Sequence, residues 1–303
     1  MPNIWTHILF AEDLCKKLDR YDVLNTSSRY LYLGAQGPDP LFYYNFWPNL
    51  PDRGVPQLGT KMHTENCGAF LLQLIAAGKS LKNQGQAYIL GFVTHHILDR
   101  NTHPYVHYKS GYEGHNHQKL EVAIDTLMLE KHRHIEPWSE PVHTKIRLMK
   151  QERKLVSAWL SPLITKHYDV EKLPNNYLAK SFRDITIAQS IFYDPYGWKK
   201  RTIGAYISPY SHQPIIDPVD YLNEKKSEWR HSATNEPQFA SFQELYNGAL
   251  KEAAPLVEEI LSYWSSPSDN EWEKIKCLVK NDSYDTGKPL SLQLKNVYSN
   301  PIV

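Results

Sequence analysis

Two short segments of the chain repeat one spacing, a histidine followed four residues later by a carboxylate. The pairs are His95 with Asp99 and His117 with Glu121, and six histidines fall between positions 95 and 117. Residues four apart lie one turn above each other on the same face of an α-helix. Imidazole nitrogen and carboxylate oxygen are both zinc ligands. The spacing therefore predicts two ligand-bearing helices that meet around more than one metal ion.

The segment that carries the first pair is almost entirely apolar. It predicts a largely buried helix over residues 86–102, where the apolar residues leave little polar surface except at His95, His96 and Asp99, and His103 continues the stripe of His95 and Asp99. A carboxylate in such a helix is costly to bury without a cation or strong donors, so Asp99 favours a metal site over a solvated helix face. Because proline disfavours a helical residue before it, Pro104 is expected to end this helix.

The rest of the chain also favours helices. Apolar periodicity predicts further helices over residues 6–24, 60–81, 117–131, 145–160, 177–193 and 241–265, and no series of strands alternates apolar with polar residues. We therefore expect an all-α fold, a multi-helix bundle. Its first part, residues 1–140, would be the metal-binding core, and residues 141–303 would form a helical C-terminal extension that can pack on the same core.

Composition restricts the function classes. The 34 Lys+Arg against 33 Asp+Glu give a net charge of +1, which predicts no nucleic-acid partner. Three cysteines without close spacing indicate reduced thiols. The beginning of the sequence does not resemble a signal peptide, and the chain has no 18-residue apolar run, so we expect a cytoplasmic location without stable membrane insertion. The sequence leaves the oligomeric state open.

Three more candidate ligands lie outside the two helical pairs. Asp39 stands between Pro38 and Pro40, which hold its backbone extended. His7 and His63 lie near the starts of predicted helices, where a single histidine is more often a cap or a surface residue. The aromatic cluster of residues 42–47 fits either a core or the wall of a substrate pocket. For the other histidines no clean spacing occurs, and we expect structural or exposed roles for His96, His107, His115, His132, His134 and His143.

The order of these motifs resembles the bacterial zinc-dependent phospholipase C family. The resemblance covers about residues 1 to 130 and includes Thr6–Phe10, Gln36–Asp39, Met62–Glu65, His95–Asp99, His103–Tyr105 and His117–Glu121. It implies an all-helical fold of the phospholipase C and single-strand nuclease type that encloses two or three zinc ions. It also implies hydrolysis of phosphoric esters by a zinc-activated water, with a small phosphoester or a phospholipid-like molecule as substrate.

The resemblance further implies a distribution of ligands among the ions. One zinc would be held by Asp39, His63, His95 and Asp99, the second by His103, His117 and Glu121, and the third by His7 with Asp99 shared. Asp39 would also orient or deprotonate the attacking water, which makes it the catalytic candidate.

Two positions depart from the family pattern. Secreted members are processed so that a tryptophan becomes the first residue and completes the third zinc site, whereas Trp5 lies inside this sequence. The family places a histidine two residues after the proline, whereas here His103 precedes Pro104. We prefer His103 because it fits the helical stripe, and His107 is its substitute.

Other functions remain open at this point. The same fold type supports a single-strand nuclease or nucleotidase, which would need aromatic platforms and a basic groove. A non-catalytic scaffold in which zinc stabilises the fold would fill every coordination position with protein. A helical phosphohydrolase built around adjacent His and Asp is disfavoured, because the sequence contains no His-Asp dipeptide.

Overall fold

The computed structural model describes residues 3–169 and 173–303. The helices are α1 Ile4–Lys17, α2 Tyr21–Gly34, α3 Val55–Thr64, α4 Cys67–Gly78, α5 Asn83–Ser110, α6 Asn116–Arg133, α7 Val142–Lys145, α8 Lys150–His167, α9 Tyr177–Phe192, α10 Trp198–Ile207, α11 Phe242–Ser265 and α12 Asp269–Leu278. A 3₁₀ helix, Asp39–Tyr43, follows α2, so the extended backbone predicted at Asp39 is wrong. Two-residue strands, β1 Trp229–Arg230 and β2 Pro237–Gln238, pair antiparallel. The prediction of an all-α fold is confirmed.

Helix α5 lies at the centre of the bundle. It is 28 residues long, it is buried on most of its circumference, and it packs against α1, α2, α4, α6 and α11. Its contact with α2 brings the two backbones together, since a Cβ added at Gly91 would lie 2.2 Å from the carbonyl oxygen of Leu31. Close packing fixes the positions of the buried side chains that α5 carries.

The predicted end of this helix at Pro104 is wrong, because α5 continues through the proline to Ser110. Proline has no N–H to donate to the carbonyl of Arg100, four residues earlier. The backbone of Gly287 packs against that carbonyl, so closely that an added Cβ would lie 2.0 Å from its oxygen. The buried surroundings of α5 outweigh the local preference of the residue before proline.

Two other predicted helices are each divided in the structure. The segment 6–24 contains the end of α1 and the start of α2, and Asp19 between them has φ +55°. The segment 60–81 is interrupted at Asn66, which has φ +51°. Asp and Asn adopt this left-handed conformation more readily than most residues, and it is incompatible with a continuing right-handed helix. The predicted helices at 177–193 and 241–265 agree with α9 and α11 to within a residue.

The hydrophobic core draws side chains from both predicted segments of the chain. Phe10 and Phe92 belong to the same buried cluster as Phe182, Phe242 and Tyr246. The predicted division at residue 140 stays a prediction.

None of the helices in the described ranges combines the length and apolar character needed to span a bilayer.

Candidate metal centre

Five elements bring the eight predicted ligands together. His7 lies on α1, Asp39 on the 3₁₀ helix and His63 on α3, while α5 and α6 carry the others. Within each of three groups the potential ligand atoms lie within 4.8 Å of one another. These groups are His7 with His95 and Asp99, Asp39 with His63 and His95, and His103 with His117 and Glu121. The shared residue His95 links the first two groups.

Asp99 is the most buried acid of the cluster, with no exposed side-chain surface. Its Oδ1 lies 3.3 Å from His7 Nε2 and 3.7 Å from His103 Nε2, and its Oδ2 lies 3.0 Å from His95 Nε2. Neither oxygen has a hydrogen-bond partner in the described part of the chain. Burial alone would raise the pKa of Asp99, but the charges of His103, His95 and His7 hold it well below its usual range. The carboxylate is ionised and faces three imidazoles.

Backbone carbonyls fix the orientation of three of these imidazole rings. In each ring Nδ1 donates to a carbonyl oxygen: His63 to Gly59 at 2.7 Å, His95 to Ala35 at 3.0 Å and His103 to Tyr284 at 2.9 Å. A carbonyl oxygen only accepts, so Nδ1 carries the proton and the neutral ring has its lone pair on Nε2. All three Nε2 atoms are directed at carboxylates.

This orientation places lone pairs against lone pairs. His95 Nε2 and Asp99 Oδ2 are 3.0 Å apart, and neither atom has a hydrogen-bond partner among the described residues. Such pairs repel unless a proton or a cation lies between them. Ligand atoms at the corners of a zinc tetrahedron, each about 2.0 Å from the ion, lie about 3.3 Å apart. The donor types, their separations and their missing partners all fit zinc.

The surroundings shift the pKa values of His7 and His63 in opposite directions. Burial lowers the pKa of His7 to about 4, and its ring stacks on His95 with centroids 4.2 Å apart. Burial alone would also lower the pKa of His63, but the hydrogen bond and charge of Asp39 raise it to about 9. A neutral His7 keeps a lone pair for a metal, whereas the His63–Asp39 pair retains a proton until a cation replaces it.

The second helical pair forms the other end of the cluster. His117 Nε2 lies 2.6 Å from Glu121 Oε1, as the four-residue spacing predicts. His103 belongs to this group, and the preference for it over His107 stays a prediction. His107, the substitute, is also adjacent, with its ring centroid 4.8 Å from that of His117. Neither ring nitrogen of His107 has a hydrogen-bond partner among the described residues.

A cavity of about 800 Å³ opens beside the donor atoms. The residues of metal-ligand type that line it are Asp39, His63, His103, His107, His115, His117, Glu121 and Asp285. Its apolar side includes Phe42, Phe46, Trp47, Ile185, Phe192 and Tyr210. The aromatic cluster of residues 42–47 therefore contributes to a pocket wall, one of the two roles predicted for it. Helix α9 packs on the 3₁₀ helix that carries Asp39, so a helix of the C-terminal half supports the cavity.

The comparisons with known proteins identify the family. A profile of the zinc dependent phospholipase C family matches residues 6–176, more than half of the 303 residues. The chain belongs to the zinc-dependent phospholipase C family. No curated protein and no solved structure matches it. The match extends past residue 130, where the resemblance seen in the sequence ended.

A buried carboxylate on α6 holds the first turn of α1. The backbone N–H groups of Trp5 and Thr6 donate to the carboxylate of Asp125 at 2.9 and 2.8 Å, which fixes the first turn of α1. Trp5 is buried inside a helix, and its main chain is engaged in this cap. His7, two residues after Trp5, faces Asp99.

Two further residues near the centre, His96 and Asp285, were not predicted as metal ligands. His96 uses both ring nitrogens within the protein, since Nε2 donates to the carbonyl of Asp282 and Nδ1 lies 3.4 Å from Arg100 Nη1. Its structural role agrees with the expectation from the sequence. Asp285 was missed, although its carboxylate lies 3.5 Å from His103 Nδ1 and lines the cavity. Its segment has no metal-ligand spacing that could have revealed it.

Proposed function

We propose that this family member is a metal-dependent hydrolase of phosphoric esters, a phospholipase C-like phosphodiesterase that uses two or three zinc ions. The observation that carries the proposal is the pair His95 Nε2 and Asp99 Oδ2, whose lone pairs face each other at 3.0 Å, together with a cavity lined by other candidate ligands. A cation between such atoms removes their repulsion, and the cavity gives a substrate access to the ligands that line it.

The donor groups suggest which residues hold each ion. Asp39, His63, His95 and Asp99 would hold one zinc, His103, His117 and Glu121 a second, and His7 a third together with Asp99. Bound zinc supplies a Lewis acid that makes water more acidic and stabilises negative charge on a phosphoryl group. The shared carboxylate of Asp99 would keep the ions close together.

Asp39 is the residue best placed to act on the attacking water. It lines the cavity, and its Oδ1 lies 3.2 Å from His63 Nε2. A carboxylate at the cavity surface can accept a hydrogen bond from water and orient it toward phosphorus, and it can receive the proton that the water loses. The stiff 3₁₀ helix with Pro40 in its first turn keeps Asp39 in place.

The walls of the cavity favour a phosphoester that carries an apolar group. Phe42, Phe46 and Trp47 lie on one stretch of chain, and Ile185 and Phe192 face the cavity from α9. Aromatic and aliphatic walls favour apolar ligand parts through burial of their surface. The proposed substrate is therefore a small phosphoester or a phospholipid-like molecule.

A single-strand nuclease or nucleotidase is the second candidate, since the aromatic walls could stack bases. Among the described residues that line the cavity, none is Lys or Arg. Binding of a nucleic-acid backbone depends strongly on such cations. The lining therefore favours a substrate with a single phosphoryl group.

Metal analysis and a substrate panel test the proposal together. Protein purified without added metal should contain at least two zinc equivalents. The zinc-loaded protein should hydrolyse chromogenic phosphodiesters or phospholipids faster than nucleotides and short single strands, and Asp39→Asn should lose this activity. His132→Gln is a matched control, because His132 lies on α6 but bonds Gln243 away from the cavity. Zinc-loaded protein that hydrolyses no phosphoester would favour a scaffold role.

The cytoplasmic location expected from the sequence is a separate prediction, which cell fractionation would test.

A further inference from the structure

A segment of the C-terminal region, Asp282–Gly287, packs directly on the metal centre. It lies more than a hundred residues beyond the matched family region, which ends at residue 176. The backbone N–H of Tyr284 donates to the carbonyl of His63 at 3.0 Å, and the carbonyl of Asp282 accepts from His96 Nε2 at 2.9 Å. The segment thus contacts α3 and α5 at the positions where they carry ligands.

The contact with His103 concerns the ring nitrogen that faces away from Asp99. His103 Nδ1 donates to the carbonyl of Tyr284 at 2.9 Å, and the carboxylate oxygen Oδ1 of Asp285 lies 3.5 Å from the same nitrogen. Two acceptors of the segment therefore surround one N–H. His103 Nε2, on the opposite side of the ring, has no hydrogen-bond partner in the described ranges and lies 3.7 Å from Asp99 Oδ1.

Asp285 could in principle be a metal ligand itself, because its carboxylate and the rings of His103 and His107 have donor atoms within 4.8 Å of one another. The tautomer of His103 argues against this. Its Nδ1 carries the proton that Tyr284 accepts, so only Nε2 has a lone pair, and Nε2 faces Asp99. A neutral imidazole cannot bind a cation on the Asp285 side while that hydrogen bond is present.

We propose that Asp285 is a positioning residue for the second zinc, acting through His103. Its carboxylate and the Tyr284 carbonyl hold the His103 ring with Nδ1–H toward the C-terminal segment and Nε2 toward the cation. A carboxylate behind a ligating imidazole also makes its lone pair more basic and so strengthens the metal bond. The proposal rests on the proposed function, since it takes His103, His117 and Glu121 as ligands.

The segment is built to hold this carboxylate in place. Ser283 Oγ accepts from the backbone N–H of Asp285 at 3.1 Å, and the N–H of Gly287 donates to the Ser283 carbonyl at 3.0 Å. Gly287 has φ +60° and packs against the carbonyl of Arg100 on α5. A side chain at position 287 would be strained and would collide with α5, so it would push the segment away from His103.

Zinc affinity of the full-length protein tests the proposal, with chelator competition as the measurement. The His117→Gln variant should lose one equivalent of zinc, and that equivalent identifies the second zinc position. Asp285→Asn should weaken binding at that position about 10- to 100-fold, the range typical for partners of ligating imidazoles, and Asp285→Glu should recover part of it. Asp282→Asn removes the same charge from the same segment, but it is the backbone carbonyl of Asp282 that bonds His96, so affinity should stay near that of the original protein.

A spectroscopic measurement distinguishes positioning from a general effect on folding. In the zinc-loaded protein, ¹⁵N shifts should show His103 with its proton on Nδ1 and the metal on Nε2. Gly287→Ala should disturb this signal and weaken the same zinc. Unchanged affinity in Asp285→Asn, or zinc bound through Nδ1 of His103, would overturn the proposal while leaving the proposed function intact. A protein that binds no zinc at all would overturn both.

Discussion

The replacement Asp99→Asn tests whether the buried cluster is a metal site. Asp99 takes part in two of the proposed zinc positions, through His95 on one side and His7 on the other. Zinc present at 100 times its Kd adds about 2.7 kcal/mol per site to the free energy of unfolding. The loss of both contributions would remove about 5 kcal/mol from the zinc-loaded protein. At about 2 °C per kcal/mol for a large domain, Tm should fall by roughly 10 °C.

The same replacement should have the opposite effect after zinc is removed. Burial lowers the pKa values of His7 and His103, so near neutral pH these imidazoles carry no charge that would compensate Asp99. Both oxygens of Asp99 also lack a hydrogen-bond partner among the described residues, and an ionised carboxylate without donors is costly to bury. A neutral amide of similar shape avoids that cost. In EDTA, Asp99→Asn should therefore be as stable as the original protein or more stable.

Thermal unfolding followed by circular dichroism, with zinc and with EDTA, measures this difference. Asp125→Asn is the matched control. Asp125 is as buried as Asp99, but its oxygens accept from the backbone N–H groups of Trp5 and Thr6. Its replacement should lower Tm equally in both conditions. If Asp99→Asn also lost the same stability with and without zinc, the assignment of Asp99 as a metal ligand would be wrong.

Three further predictions concern the surroundings of the site. Gly37→Ala should destabilise the protein by about 1–2 kcal/mol or more in urea unfolding and lower its zinc content. The reason is that Gly37 has φ +50° and an added Cβ would lie 2.2 Å from the His95 ring. Unchanged zinc content would contradict the packing argument. Burial lowers the pKa of His212 to about 4, so the unfolded chain binds its proton first and stability should fall as pH drops from about 6.5 through 4. His212→Gln should flatten that slope in zinc-free protein, and an unaltered slope would assign it to other groups. Trp47→Ala should raise KM for an apolar phosphodiester about tenfold, which corresponds to about 1.4 kcal/mol of lost binding free energy. The variant should keep its kcat and its zinc content. A fall in kcat alone would place Trp47 outside the substrate pocket.

The candidate ligand pairs on α5 and α6 were predictable because their contacts depend on local geometry. A histidine and an acid four residues apart meet whenever the segment is helical, as His95 with Asp99 and His117 with Glu121 do. Asp39 was recognisable from its two neighbouring prolines and the family resemblance. In these cases the sequence contains the spacing that produces the contact.

Features that depend on distant contacts were not predictable. Asp285 approaches His103 across more than 180 residues of chain, and no local pattern marks it. Helix α5 passes through Pro104 because surrounding elements cover it, which local preference could not show. The division of two predicted helices depends on single residues, Asp19 and Asn66, whose left-handed conformation does not interrupt the apolar periodicity.

The central position of α5 has a consequence for how such a protein can diversify. Helix α5 supplies His95, Asp99 and His103, and it is also the helix against which its neighbours pack. Any adjustment of ligand spacing would disturb the whole interior, so mutations there are strongly restricted. Residues 42–47 and α9, by contrast, border the opening and carry side chains that are not among the candidate metal ligands. New substrate preferences would therefore arise at the rim of the cavity, while the candidate metal ligands stay constant.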